Sequence, residues 1–163
     1  MKRSLLLLLS ATVLTFTSCA KKKCCDFPVT PNFILAQKNG VEWKANTLNS
    51  NIRGDTIIVS GSYNNSGQEE TLVFKLVFDG LGYYSLKNNE GYYHIVKGGA
   101  RTGTYGFNPT HSNTITVFAF NESEKIMQGF FELKFVKIHD DPPGTQQDEV
   151  SFLSGKFKVA LHN

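Results

Sequence analysis

A chain of 163 residues, 40% of them hydrophobic, is long enough for one folded domain with a sizeable core. Its formal net charge of +3 arises near the start, because five of the 17 basic residues precede Phe27. The stretch from Phe27 onward keeps 12 basic residues and all the acidic ones except Asp26, 13 in number. This balance leaves no basic surplus with which to bind nucleic acid.

Residues 1–18 have the pattern of a secretory signal peptide. Lys2 and Arg3 form a basic start, an apolar run follows, and the small pair Thr17-Ser18 ends it. Small residues directly before a cysteine are what a bacterial lipoprotein peptidase accepts, so the pattern predicts a lipid on Cys19 and a mature chain anchored to a membrane through it. An ordinary cleaved signal with an incidental cysteine is the alternative. About a dozen apolar residues are too few for a spanning helix, which needs roughly 20.

Residues 19–26 are predicted to form a tether that contains all three cysteines. Cys24 and Cys25 follow the run Lys21-Lys22-Lys23, which a membrane peptidase site would not tolerate, so Cys19 is the favoured lipid site. No cysteine remains in the predicted domain, residues 27–163, and an exported domain without cysteines has no disulfide framework.

The predicted domain shows short alternating segments interrupted by Gly, Asn, Asp and Pro, which indicates an all-β fold. Asn39-Gly40 is a strong hairpin signal between strands at 32–36 and 41–45. Pairing across this turn sets Ala36 opposite Trp43 and places Trp43 in the core. Polar residues 64–70 and the glycine-rich residues 98–109 are predicted to be loops. The other predicted strands are 47–53, 56–63, 72–78, 83–87, 92–97, 114–120, 126–136 and 150–161.

Nine or ten short strands joined mostly by tight turns favour an antiparallel β-sandwich, with an up-and-down, lipocalin-like β-barrel as the alternative. The last two strands resemble each other, since Gly129 and Gly155 each precede an alternating apolar run. A glycine at these positions permits a bulge or a close backbone contact.

Three short motifs carry a resemblance to a known family. They are 39–45 (Asn-Gly-Val-Glu-Trp-Lys-Ala), 126–131 (Ile-Met-Gln-Gly-Phe-Phe) and 154–157 (Ser-Gly-Lys-Phe). The chain resembles small Bacteroidota lipoproteins of unknown function, which implies a β-rich envelope protein and supplies no catalytic residues. In that group, acidic residues after the lipid cysteine accompany display on the cell surface. Residues 20–23 lack them, so the periplasmic face of the outer membrane is expected.

The sequence offers no catalytic set, and we expect neither enzyme activity nor a cofactor. The four histidines are not accompanied by a serine or cysteine in a strained nucleophile turn. His139, Asp140 and Asp141, with Asp148 and Glu149, have oxygen ligands for a divalent cation but no calcium-loop spacing. A solvated acidic loop is therefore the preferred interpretation.

The tyrosines give the best candidate for recognition. If Lys87 pairs with Tyr92 across a hairpin, then Tyr83, Tyr92 and His94 form a row on one face. Such a row suits a carbohydrate or an envelope protein as partner, although cross-strand packing would explain it equally well. The alternative function is a carrier that holds a small apolar ligand in a barrel mouth under a glycine-rich flap.

Overall fold

The computed structural model describes residues 31–87 and 89–162. The predicted signal peptide (1–18), the predicted lipid site Cys19 and the predicted tether (19–26) therefore lie outside the described residues, as do residues 27–30 of the predicted domain. Within the described part, no helix is long and apolar enough to cross a membrane.

The described residues form an all-β fold in which every paired strand is antiparallel to its neighbour, so the predicted fold class is confirmed. They contain eleven strands, one or two more than predicted. The strands are β1 (Phe33–Lys38), β2 (Val41–Lys44), β3 (Thr47–Arg53), β4 (Thr56–Asn65), β5 (Gln68–Val77), β6 (Gly82–Leu86), β7 (Gly91–Lys97), β8 (Ala100–Phe107), β9 (Asn113–Asn121), β10 (Ile126–Asp140) and β11 (Glu149–Ala160).

The first hairpin has the predicted turn and register. Asn39 and Gly40 adopt φ angles of 50° and 82°, which a two-residue turn of this kind requires. Ala36 pairs with Trp43, and Trp43 is only 2% exposed. Its ring packs edge-on against Phe152 at a centroid distance of 5.3 Å. Trp43 is therefore a packing anchor of the core, as predicted.

The sheet has the order β2-β1-β11-β10-β8-β7-β5-β4-β3, and its two ends meet. Only Ala45 and Asn46 separate β2 from β3, although these strands stand at opposite ends of the order. The Ala45 amide donates to Ile34 of β1 at 3.0 Å, and the Asn46 amide donates to Ser62 of β4 at 2.7 Å. Further along, the Ile52 amide of β3 donates to the His162 carbonyl just after β11 at 2.9 Å. These bonds bring the edges together, so the sheet wraps into a barrel-like structure.

At three positions in the sheet, two shorter strands lie end to end in place of one long strand. β10 pairs with β9 along its first half and with β8 along its second, so β8 and β9 run end to end. Their partners β7 and β6 do the same. If β2 with β3, β6 with β7 and β8 with β9 each count as one position, the eleven strands follow one another around the sheet in chain order. This is the up-and-down arrangement that the sequence left as the alternative to a sandwich.

The predicted hairpin between 83–87 and 92–97 is wrong. β6 pairs with β9, while β7 pairs with β5 and β8. The Glu90 amide donates to the Lys87 carbonyl at 2.9 Å in a turn that shifts the chain sideways without reversing it. As a result β7 pairs along its whole length with β5, from Gly91 opposite Phe74 to Lys97 opposite Gln68. A reversed β7 could not make this longer ladder.

Two predicted loops are also mostly strand. Within 98–109, Gly98 and Gly99 form a tight turn with positive φ, and β8 begins at Ala100. Gly106 lies within β8. Glycine is favoured at this position because a Cβ there would stand only 2.8 Å from the Ile138 side chain. The polar stretch 64–70 is a turn at Ser66-Gly67 that leads directly into β5. Close packing and turn geometry explain these glycines, and they do not mark a mobile flap.

Aromatic rings fill the centre of the barrel. Gly129 pairs with Phe157 and Gly155 with Phe131, so each ring lies over the glycine opposite and occupies the space of a Cβ. This confirms the close contact predicted for the two glycines. The largest side chains under 2% exposed include Phe74, Phe135 and Phe152. The centre of the barrel formed by the described residues is thus packed with side chains, and the prediction of an apolar-ligand carrier gains no support from it.

Candidate functional site

Polar side chains point inward at the end of the barrel where β1 finishes. Lys38, Gln68, Glu70, Tyr93 and Tyr105, here called the mouth site, line a cavity of about 450 Å³ together with residues 145–147 of the β10–β11 loop. Their inward direction follows from the alternation of each strand, since Lys38 continues the buried series of Ile34 and Ala36, and Glu70 that of Leu72 and Phe74.

Glu70 is the centre of the mouth site. Its side chain is 8% exposed and accepts hydrogen bonds from Lys38 Nζ at 2.6 Å to each oxygen. Trp43 Nε1 and Gln68 Nε2 each donate to it at 3.0 Å. A buried carboxylate needs such partners, because removing it from water without them is costly. The charges of Glu70 and Lys38 therefore cancel within the site.

Tyr93 forms the floor beside this ion pair. Its ring is fully buried, and its hydroxyl accepts a hydrogen bond from Lys38 Nζ at 3.3 Å. Burial, reinforced by the negative charge of Glu70, raises the pKa of Tyr93 far above its usual value. Burial also raises the pKa of Tyr105. Both phenols thus remain protonated at all physiological pH values and serve as hydrogen-bond donors.

Asp140 shapes the loop that forms the outer wall of the mouth. Its carboxylate accepts hydrogen bonds from Lys137 Nζ at 3.1 Å, from the Gly144 amide at 2.7 Å and from the Thr145 hydroxyl at 2.9 Å. Burial alone would raise the pKa of Asp140, but these bonds outweigh it and lower the pKa from 3.8 to about 2.

The same wall is tied to the barrel through Gln147. The Tyr105 hydroxyl donates to the Gln147 carbonyl at 3.0 Å, and Asn39 Nδ2 donates to Gln147 Oε1 at 2.5 Å. The loop is therefore held in place over the cavity from both sides.

Carboxylates of the predicted acidic loop form ion pairs within the protein. Lys137 bridges Asp140 and Asp148, at 3.1 Å and 2.9 Å. Among the described residues, no three His, Cys, Asp or Glu side chains come close enough to share a metal ion. β10 extends to Asp140, so His139 belongs to a strand and not to the predicted loop.

The structure separates the three predicted recognition residues. Tyr83 and Tyr92 are 66% and 43% exposed, which the recognition hypothesis requires, but they lie on strands that run end to end. Tyr92 and His94 stack at a centroid distance of 5.8 Å on the outer face of β7. Burial, with the charge of Arg101, lowers the pKa of His94. The row of three is therefore a stacked pair and a separate tyrosine.

Sequence reasoning missed the mouth site because it assigned residues 68–70 to a loop. The signal was present, since Gln68 and Glu70 continue the two-residue period of Leu72 and Phe74. A carboxylate at an inward position of a central strand requires a cationic partner, and Lys38 stands in phase with Ile34 on β1. Their distance of 32 residues in sequence hid the pairing.

A family model described as Domain of unknown function (DUF6252) matches residues 30–160. No curated protein and no solved structure matches the chain.

Proposed function

We propose that this chain, which belongs to the DUF6252 family of domains of unknown function, is a lipid-anchored, non-enzymatic binding protein of the bacterial cell envelope. Its ligand is a small, uncharged polar molecule of the carbohydrate class, held at the mouth site. Nucleic acid is not a partner, since the domain has no basic surplus.

The observation that carries this proposal is the internal charge balance of the cavity. Lys38 and Glu70 neutralise each other, and the other residues that line the cavity are uncharged. What remains for a ligand is a set of hydroxyls and side-chain amides, which is chemistry that recognises sugar hydroxyls.

The anchor is proposed from the sequence. The signal peptide and Cys19 indicate a lipoprotein, and the resemblance to Bacteroidota lipoproteins favours the periplasmic face of the outer membrane. β1 starts at Phe33 and reaches the mouth at Lys38. Five residue steps of about 3.3 Å separate these points, so the mouth lies at the opposite end of β1 from Phe33.

Trp43 provides a built-in reporter of binding. It is the one tryptophan of the chain, and its indole donates to Glu70 beneath the cavity. Titration of the mature chain with a panel of neutral mono- and oligosaccharides should give a saturable change in Trp43 emission for at least one of them. Tyr105→Phe removes the hydroxyl that donates to the Gln147 carbonyl and holds the loop over the cavity, and it should weaken that binding about fivefold.

The matched control is Tyr92→Phe, which removes a hydroxyl from the outer face and should leave the titration unchanged. An emission change that Tyr105→Phe does not alter, or the absence of a saturable change across the panel, would end the proposal for the mouth site.

The anchor has its own test. Cells grown with a fatty-acid probe should label the wild-type chain, and Cys19→Ala should abolish the label. Label that persists in Cys19→Ala would refute the lipoprotein assignment while leaving the titration result unaffected.

A further inference from the structure

Four large apolar side chains lie together on the outer face of the sheet formed by β6, β9 and β10. They are called the outer patch and are Leu81, Tyr83, Phe118 and Phe130, which are 62%, 66%, 48% and 47% exposed. The rings of Phe118 and Phe130 are in contact at a centroid distance of 4.9 Å. A cluster of this kind on a soluble domain marks a surface that meets another apolar phase.

The strand register makes the outer patch continuous. Tyr83 pairs with Thr116, which pairs with Phe130 on its other side. Gly82 pairs with Val117, so Leu81 and Phe118, each one residue further along, lie at the same level. The patch thus extends across three adjacent strands.

Strand pairing also connects the outer patch to β1, the first strand of the domain. Phe130 pairs with Lys156 and Lys156 with Leu35, while Phe33 pairs with Lys158. Four strand spacings of about 4.8 Å separate β6 from β1, so the patch lies within about 20 Å of the start of β1. Its neighbours on this side are two lysines and two partly buried apolar residues of β1.

We propose that the outer patch rests on the lipid surface to which the same chain is anchored. This inference rests on the proposed lipid at Cys19. Only 11 residues, 20–30, separate that cysteine from Pro31, and the twelve residue steps between them span at most about 40 Å. The anchor therefore keeps the start of β1, and the patch beside it, close to the bilayer at a high effective concentration, so that even a weak contact is populated.

The composition of the outer patch fits this occupant. Aromatic rings and lysines are the side chains that settle at the boundary between headgroups and acyl chains. The β9–β10 turn adds Glu122, Glu124 and Lys125, so the surroundings of the patch carry charges of both signs. Burial of apolar surface, and not attraction to anionic lipid, then dominates the contact.

The test places a fluorescent reporter in the outer patch. Lipidated Phe118→Trp is reconstituted in vesicles of phosphatidylethanolamine and phosphatidylglycerol whose acyl chains are brominated, since bromine quenches tryptophan on contact. The emission added by the substitution should fall by about half or more, because a ring at headgroup depth reaches the labelled chains. Leu81→Trp, at the same level, gives a second reading if Phe118→Trp folds poorly.

Val41→Trp is the matched control. Val41 is 70% exposed beside the mouth, and its emission should not respond to bromine. A chain that fails to float with vesicles lacks the anchor, and this result would refute both the lipid anchor and the lipid contact of the outer patch. A floating chain whose Phe118→Trp emission is unquenched, or quenched no more than that of Val41→Trp, refutes the lipid contact alone. Dimers in solution that Phe130→Ser dissociates would show instead that a second copy covers the patch, and would also overturn the proposal.

Discussion

Replacing Glu70 by glutamine tests the central interaction of the mouth site. Glu70→Gln keeps the shape of the side chain but removes its charge and turns one acceptor oxygen into a donor. The carboxylate accepts from three side chains, those of Lys38, Trp43 and Gln68, and an amide oxygen cannot serve all of them. Breaking a buried ion pair typically costs about 3–5 kcal/mol.

The lower end of that range applies because Lys38 is 25% exposed and can recover hydration. We therefore expect the free energy of unfolding to fall by roughly 3 kcal/mol and Tm by about 10 °C. The assay is thermal and urea unfolding followed by Trp43 emission. Glu132→Gln, an exposed carboxylate on β10, is the control and should change the free energy of unfolding by no more than about 0.5 kcal/mol.

A double-mutant cycle with Lys38→Met decides whether the ion pair is the cause. Because the two side chains are in direct contact, their coupling energy should be about 1–3 kcal/mol. If the effects of Glu70→Gln and Lys38→Met simply add, or if Glu70→Gln leaves the unfolding curve unchanged, the reasoning about a charge-matched mouth is refuted.

Three further expectations follow from the geometry. Gly155→Ala puts a methyl group into space that the Phe131 ring occupies, and it should lower the free energy of unfolding by about 1–3 kcal/mol in urea melts. Tyr93→Ala, at a position with no exposure, should lower the free energy of unfolding by about 3–5 kcal/mol, whereas Tyr92→Ala, at a position 43% exposed, should lower it by less than about 1 kcal/mol. A comparable drop in Tm for both variants would exclude Tyr92 as a recognition residue. The folded pKa of Asp140, about 2, lies below its unfolded value, so its stabilisation is complete above pH 4 or so and is lost as the pH falls toward 2. The amide shift of Thr145 should titrate with a midpoint near the folded pKa of about 2, and Asp140→Asn should abolish the titration.

Much of the fold is determined by local sequence. Asn39-Gly40 sets both the first turn and the register that pairs Ala36 with Trp43, because its backbone requirements and the two-residue period of the flanking strands agree. The strand at 72–78 has apolar residues on both faces and is central, paired with β4 and β7. Where turn chemistry and periodicity point the same way, neighbouring residues suffice to predict the structure.

Local sequence also determined the alternation of inward and outward side chains, including the exposure of Tyr83 and Tyr92 and the burial of Tyr93. It did not determine which strands pair. The turn before Glu90 is compatible with a hairpin or with a sideways shift, and only the longer ladder available between β7 and β5 selects the shift.

The mouth site was decided by tertiary structure for the same reason. Lys38 and Glu70 are 32 residues apart, and each is an ordinary polar residue in its own segment. They become an ion pair only when the sheet wraps so that the ends of β1 and β5 face each other across the barrel. A two-residue period tells a side chain which face to take, but the partner that it meets there depends on strand order and closure, which are set by long-range hydrogen bonds and by the packing of the shared core.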